Sequence, residues 1–172
     1  PNDEAHELFK LPDFINKMME NKWLGSKTGQ GFYKKEGKDI LSLDLDTLEY
    51  RTAKKASFAT LELTKTIDKP IDRFKVLVKG KDKAGDFYRK NFSAMFAYCS
   101  NRVPEITDEF YKIDDAMKAG FGWENGPFEI WDAIGVEKAI AMMEAEGYKP
   151  AAWVTDMLIS GNKSFYSVKN GK

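Results

Sequence analysis

Between Leu24 and Tyr33 the chain reads Leu24-Gly25-Ser26-Lys27-Thr28-Gly29-Gln30-Gly31-Phe32-Tyr33, with three glycines and a lysine inside seven residues. Glycine loops that carry a lysine bind phosphate when their backbone N–H groups converge and the ammonium adds charge. The order of the residues speaks against that chemistry. A phosphate loop of the G-x-x-x-x-G-K-[ST] kind has its lysine at the end and opens a helix. Here Lys27 stands early in the run, and apolar spacing places a helix before the loop. A dinucleotide turn also fails, because no strand precedes the glycines and no helix follows them.

The remaining reactive side chains are few. The chain has one histidine, His6, and one cysteine, Cys99. Any Ser-His-Asp triad or Cys-His dyad would have to use His6, which lies in the acidic stretch Asn2-Asp3-Glu4-Ala5-His6-Glu7 and reads as a surface residue. Cys99 sits in an apolar stretch and reads as a buried, inert thiol. With one histidine and one cysteine far apart, no zinc site is expected. A single cysteine excludes an internal disulfide and fits a reducing compartment, so a cytoplasmic location is expected. Lysine plus arginine number 27, as do aspartate plus glutamate. That balance argues against nucleic acid as a partner. The lysines at 79, 81 and 83 read as a solvated helix end. No stretch approaches the roughly 20 apolar residues of a membrane span.

The elements that must hold these residues are mainly helical. Residues 2–22 are predicted to be helical, with a new start at Pro12 and one apolar face from Phe14, Ile15, Met18 and Met19. Gly31-Phe32-Tyr33-Lys34 reads as a short strand. Residues 39–69 are predicted to be a linker with little regular structure until about Leu61. From Pro70 the pattern turns strongly helical. A short helix carries Phe74, Leu77 and Val78 and closes at Gly80, and Asp82 can cap the next. That next helix is predicted to carry one apolar stripe of Tyr88, Phe92, Met95, Cys99, Val103, Ile106 and Phe110, bent at Pro104. Further helices start at Ile113 and at Gly126-Pro127 and run over Val136–Glu146 and Pro150–Ser160. Strand is expected only near Phe32-Tyr33 and Phe165-Tyr166. The 42% of apolar residues suffice for a packed core, and the expected fold class is mainly α.

The two ends echo each other. Phe14-Ile15-x-x-Met18-Met19 matches Trp153-Val154-x-x-Met157-Leu158. A glycine-containing loop follows each, with Lys27 and Lys163, then the pairs Phe32-Tyr33 and Phe165-Tyr166, then Glu36-Gly37-Lys38 and Asn170-Gly171-Lys172. One structural unit is therefore expected twice, with the first copy cut short at Pro1.

Residues 100–135 carry a resemblance. Ser100-Asn101-Arg102-Val103 is followed by Ile113-Asp114-Asp115-Ala116-Met117-Lys118-Ala119-Gly120-Phe121-Gly122, then by Asn125-Gly126-Pro127-Phe128-Glu129-Ile130-Trp131-Asp132-Ala133-Ile134-Gly135. This resembles the C-terminal helical domain of the 3-hydroxyacyl-CoA dehydrogenases, whose closing Lys-Thr-Gly-x-Gly-Phe-Tyr run is similar to Lys27–Tyr33. The resemblance covers roughly four fifths of the chain. It implies residues 1–38 as the tail of a first helical domain, 39–69 as a linker and 70–172 as a second, near-complete copy. Such tandem copies resemble those of multifunctional β-oxidation proteins.

The resemblance further implies that the whole protein oxidises 3-hydroxyacyl-CoA to 3-oxoacyl-CoA in fatty-acid β-oxidation. NAD would bind an N-terminal Rossmann domain outside this chain, where a His-Glu pair would take the hydroxyl proton. This stretch would then hold no catalytic, NAD-binding or metal residue, would help wall the acyl-CoA cleft, and would supply domain contacts or those of a homodimer. Asn101, which with Arg102 matches the family's Asn-Arg pair, is the one candidate for touching substrate; a buried amide bonded to backbone is its other role. Two rival functions stay open: a non-catalytic helical interaction module, and another CoA-linked hydroxy-acid dehydrogenase.

Overall fold

A computed structural model describes residues 3–167, which fall into two compact units, 1–56 and 57–172. The expected tail match at Asn170-Gly171-Lys172 lies outside the described residues.

In the first unit a single 3₁₀ turn at His6–Phe9 precedes helix α1, Asp13–Glu20. The new start predicted at Pro12 is kept, but the stretch before it is one 3₁₀ turn rather than a helix. Proline disfavours the α conformation in the residue before it, and Lys10 and Pro12 are extended, with ψ of 115° and 154°. Three antiparallel strands follow, β1 (Tyr33–Glu36), β2 (Asp39–Leu43) and β3 (Tyr50–Thr52), in the order β1-β2-β3. Glu36 pairs with Asp39, so Gly37 and Lys38 alone make the first turn, with Gly37 at positive φ as a two-residue hairpin requires. The second turn is tied by Asp44, whose carboxylate accepts the Asp46 and Thr47 N–H groups and the Arg51 guanidinium. The Trp23 and Tyr50 rings meet at 5.6 Å, and the Tyr50 hydroxyl donates to the Gly31 carbonyl at 2.7 Å.

The expectation of little regular structure from residue 39 onward is therefore corrected. Strands β2 and β3 and helix α2, Ala59–Thr64, occupy much of that stretch. A strand is also missing where one was expected: Phe165 and Tyr166 are in irregular backbone.

The second unit continues with α3 (Pro70–Leu77), α4 (Lys83–Asn101), α5 (Tyr111–Phe121), α6 (Pro127–Ile134), α7 (Val136–Ala145) and α8 (Ala152–Ile159). Helix α4 packs on α6 and α7, and α3 on α6. Phe92, Phe96, Phe128, Trp131, Val136, Ala139, Met143, Val154 and Phe165 are buried together between them. The stripe predicted on one long helix is cut short: α4 ends at Asn101, and Val103, Ile106 and Phe110 lie beyond it. Pro104 lacks an N–H and its ring would strike the preceding turn, so the helix stops rather than bends.

Asp82 caps α4 as expected. One carboxylate oxygen accepts the Gly85 N–H at 3.1 Å, and the other accepts the Thr60 N–H of α2 at 2.9 Å. These bonds, first among them the one from Thr60, hold the Asp82 carboxyl down to about 2. A carboxyl held below its unfolded value stabilises the fold above that value and loses the contribution as pH falls through its folded one. Thermal stability of the wild type is therefore expected to fall between about pH 4 and pH 2, and Asp82→Asn is expected to flatten that part of the melting-temperature profile.

Candidate functional site

The glycine loop folds upon itself. Gly25 N–H donates to the Gln30 carbonyl at 2.9 Å, Gly29 N–H to Ser26 at 3.2 Å and Gly31 N–H to Tyr33 at 3.0 Å. The Leu24 N–H donates to the Thr28 hydroxyl, and that hydroxyl reaches the Gly25 and Gln30 carbonyls. Gly31 must be glycine because a Cβ there would stand 2.8 Å from the Gly25 backbone. The Leu24, Gly25, Thr28, Gly29 and Gly31 N–H groups are thus all engaged within the loop. Gly31 serves close backbone packing, whereas Gly25 and Gly29 supply positive φ, 105° and 82°.

Helix α4 ends at the sequence candidate Asn101, which is half-buried; both Asn101 and Arg102 have interaction partners. The Arg102 guanidinium pairs with Glu105 at 2.6 Å and lies 4.7 Å from the Tyr98 ring centroid. One residue earlier, Ser100 is fully buried and joins α4 to the start of α8. The Ala151 N–H donates to its hydroxyl at 3.0 Å, and the Trp153 indole N–H to its carbonyl at 2.9 Å.

The two carboxylates of the motif make the tightest polar structure in the unit. Helix α6 begins at Gly126, whose lack of a side chain leaves it no cap of its own. Asp114, from the first turn of α5, fills that place. Its carboxylate accepts the Phe128 N–H at 2.9 Å, the Glu129 N–H at 3.0 Å and the Tyr166 hydroxyl at 2.8 Å. A Cβ on Gly126 would come within 2.3 Å of the Asp114 side chain, so glycine is required there by close approach. Glu129 closes the same turn by accepting the Gly126 N–H at 2.9 Å, and the Lys118 ammonium is 2.8 Å from its other oxygen. Near the other end of α6, Asp132 accepts the Phe165 and Tyr166 N–H groups at 2.8 and 2.9 Å. Burial pushes both the Asp114 and the Asp132 carboxyl up, against the downward pull of their donors. Burial, followed by the bond to Asp114, also pushes the Tyr166 hydroxyl well above the ordinary tyrosine range.

Each of these groups holds backbone, a neighbouring hydroxyl or an ammonium, so the cluster forms a clamp joining α5, α6 and the 165–166 segment. The sequence reading did not connect Asp114 with Gly126 or Tyr166, nor Asp132 with residues 165 and 166. The available signal was a cap-less Gly-Pro helix start, which must borrow its acceptor from elsewhere in the fold.

The other candidates stand apart from the clamp. His6 is exposed on the 3₁₀ turn of the first unit. Among the described residues no group of three histidine, cysteine, aspartate or glutamate side chains could hold a metal ion, and no helix is long and apolar enough to cross a membrane. A groove of about 340 Å³ is lined by Val78, Ile134 and Met142 with Lys75, Lys79 and Lys138 at its edges. It touches Arg89, about 18 Å along α4 from Asn101 at the helical rise per residue.

Burial, with a smaller effect of Asp114, pushes the Cys99 thiol up to about 12. Since the thiolate is the reactive form, iodoacetamide at neutral pH is expected to label native Cys99 more slowly than the unfolded chain, by on the order of a hundredfold or more. Equal rates measured by mass spectrometry would contradict that placement.

Comparison with known proteins adds three findings. Residues 91–164 match the family described as 3-hydroxyacyl-CoA dehydrogenase, C-terminal domain. That span runs from the middle of α4 through the clamp to the loop before Phe165. The chain is 43% identical, over 98% of its length, to a Bacillus subtilis protein named "Probable 3-hydroxyacyl-CoA dehydrogenase". It is 29% identical, over 75% of its length, to a Rickettsia felis protein provisionally named a fatty acid oxidation complex trifunctional enzyme. It is 26% identical, over 91% of its length, to the "Fatty acid oxidation complex subunit alpha" of Psychrobacter cryohalolentis. The chain spans 21%, 17% and 21% of these relatives, about a fifth of their length. No solved structure gives a significant match. Through residues 91–164, the chain therefore belongs to the 3-hydroxyacyl-CoA dehydrogenase family, as its C-terminal helical domain.

Proposed function

We propose that this chain is the C-terminal portion of an NAD-dependent 3-hydroxyacyl-CoA dehydrogenase of fatty-acid β-oxidation, in which it builds the helical wall of the acyl-CoA cleft and carries no reacting group. The observation that carries this is the clamp. Asp114, fully buried, and Asp132, half-buried, are two carboxylates of the matched motif, and both are engaged by backbone N–H groups. They support a structural role for the motif. NAD accepts the hydride of the substrate's carbinol carbon and would sit on a Rossmann domain in the full-length protein, since the glycine run lacks the strand-turn-helix order of a dinucleotide turn. The general base for the hydroxyl proton would come from that domain too, since a base must lie within hydrogen-bond reach of the proton it takes.

Within this assignment residues 1–38 close one helical domain and residues 70–172 form a second, joined through 39–69. Asn101, at the end of α4, is the residue put forward for contact with the substrate. The protein would work in the cytoplasm, with contacts to its own N-terminal domain or to a second subunit.

The test is oxidation of 3-hydroxyacyl-CoA with NAD by the purified 172-residue chain and by the full-length gene product. The full-length protein is expected to reduce NAD and the short chain to stay at background. NAD reduction by the short chain would refute the structural role. Failure of the full-length protein with every hydroxyacyl-CoA tried would favour a helical interaction module instead.

A further inference from the structure

The two ends of the chain are alike in three dimensions as well as in sequence. Helices α1 and α8 are each eight residues long, each follows an extended residue (Pro12 or Ala151), and each ends on an αR residue (Asn21 or Ser160). Their backbone bonds repeat at a constant offset. Ile15 and Val154 donate to Pro12 and Ala151, Asn21 and Ser160 to Lys17 and Asp156, Lys22 and Gly161 to Met19 and Leu158, Trp23 and Asn162 to Met18 and Met157. Lys22 and Gly161 both have positive φ, 59° and 93°. Phe14 meets Phe32 edge-on, at 68°, as Trp153 meets Phe165 at 62°.

What differs is the cover. Val154 is fully buried, whereas its counterpart Ile15 is half-buried beside Met19, which is 55% exposed. Phe165 is 9% exposed and Phe32 47%; Tyr166 is 37% exposed and Tyr33 66%. In the second unit the cover consists of Phe110, Phe128 and Trp131, whose rings stand 5.0–5.5 Å from that of Phe165, together with the Asp114 acceptor for the Tyr166 hydroxyl. In the first unit the same place is an apolar hollow of about 220 Å³ lined by Ile15, Met18, Met19, Trp23, Leu24 and Phe32.

We propose that the face made by Ile15, Met19, Phe32 and Tyr33 is the docking surface for a further copy of the α5–α6 pair, supplied by the same longer polypeptide. That copy seats a Phe-like ring of a Gly-Pro-Phe helix start on Phe32 and offers an aspartate to the Tyr33 hydroxyl. The inference rests on the tandem arrangement proposed above and names the partner of its first half. The repeated geometry selects this occupant: a surface of this shape, in this chain, is covered by that helix pair where the pair is present.

The experiment places p-benzoylphenylalanine at position 33 of the full-length gene product. Irradiation is expected to give one intramolecular adduct, mapped by mass spectrometry to a segment with an Asp followed by Gly-Pro-Phe that is not residues 111–135. An adduct to residues 111–135, an intermolecular adduct or no adduct would overturn the proposal. As a second measurement, Tyr33→Phe is expected to lower the melting temperature of the full-length protein by a few degrees and to leave the 172-residue chain unchanged. Equal shifts, or none, in both would also overturn it. Dehydrogenase activity of the same full-length sample separates the two ideas: the adduct without activity preserves the interface and sinks the enzyme assignment, and activity without the adduct does the reverse.

Discussion

Asp114→Ala is expected to destabilise the second unit by about 3 kcal/mol, with the urea midpoint moving down at unchanged slope. One carboxylate on α5 serves three donors, two on α6 and one on the segment at Tyr166. Without it, α6 loses the acceptors for its second and third N–H groups, which alone is worth about 1 kcal/mol in a typical cap. The Phe128 N–H and the Tyr166 hydroxyl are also left without acceptors, at about 1–3 kcal/mol for each one fully shut off from water. Relief of the desolvated charge offsets part of this. Asp114→Asn keeps one carbonyl oxygen and is expected to fall between wild type and alanine. An Asp114→Ala protein as stable as wild type would show that the clamp does not hold the fold.

Trp131→Ala should be costlier still, about 4 kcal/mol, from lost burial plus the cavity left behind. The indole is fully buried, stacks on Phe96 at 4.8 Å and 11°, and meets Phe165 at 5.1 Å. It lies between α4, which packs against α6 and α7, and the closing Phe165, so the remaining side chains have little freedom to collapse into the void. Total stability of a domain this size is typically about 5–15 kcal/mol. The variant should therefore unfold at distinctly lower urea, and Trp131→Phe, which keeps a ring on Phe96, should recover much of the loss. Loss of circular dichroism against urea reads both.

The helices were legible where punctuation and period agree. Pro70, Asp82 and Gly126-Pro127 mark starts that the structure keeps, and the face of Tyr88, Phe92, Met95 and Cys99 was visible as a stripe. The stripe was carried too far because Val103, Ile106 and Phe110 continue the spacing in phase, while the stop at Asn101 comes from Pro104, a local steric veto that periodicity does not register. Strands β2 and β3 were hidden because they are short and largely exposed, so Leu43-Asp44-Leu45-Asp46 reads as a solvated mixture rather than as one buried face. The glycine run was legible as a loop that follows a helix and leads into strand β1, because glycine at that density ends a helix and supplies positive φ. The clamp was not legible as a unit. Asp114 and Tyr166 are joined across 52 positions, and no local pattern states which carboxylate will cap a helix that begins with glycine.

The clamp also has a consequence for how the protein is made. Asp114 and Asp132 wait for groups at 165 and 166, and Phe165 is the ring that fills the space beside Phe128 and Trp131. During translation the α4–α7 bundle emerges first, with an open apolar slot and two carboxylates lacking their last donors. The segment that closes the slot is still inside the ribosome. Completion of this core therefore waits until Phe165 and Tyr166 have left the ribosome, and a nascent chain stalled short of Phe165 presents to chaperones and proteases a bundle with its keystone missing.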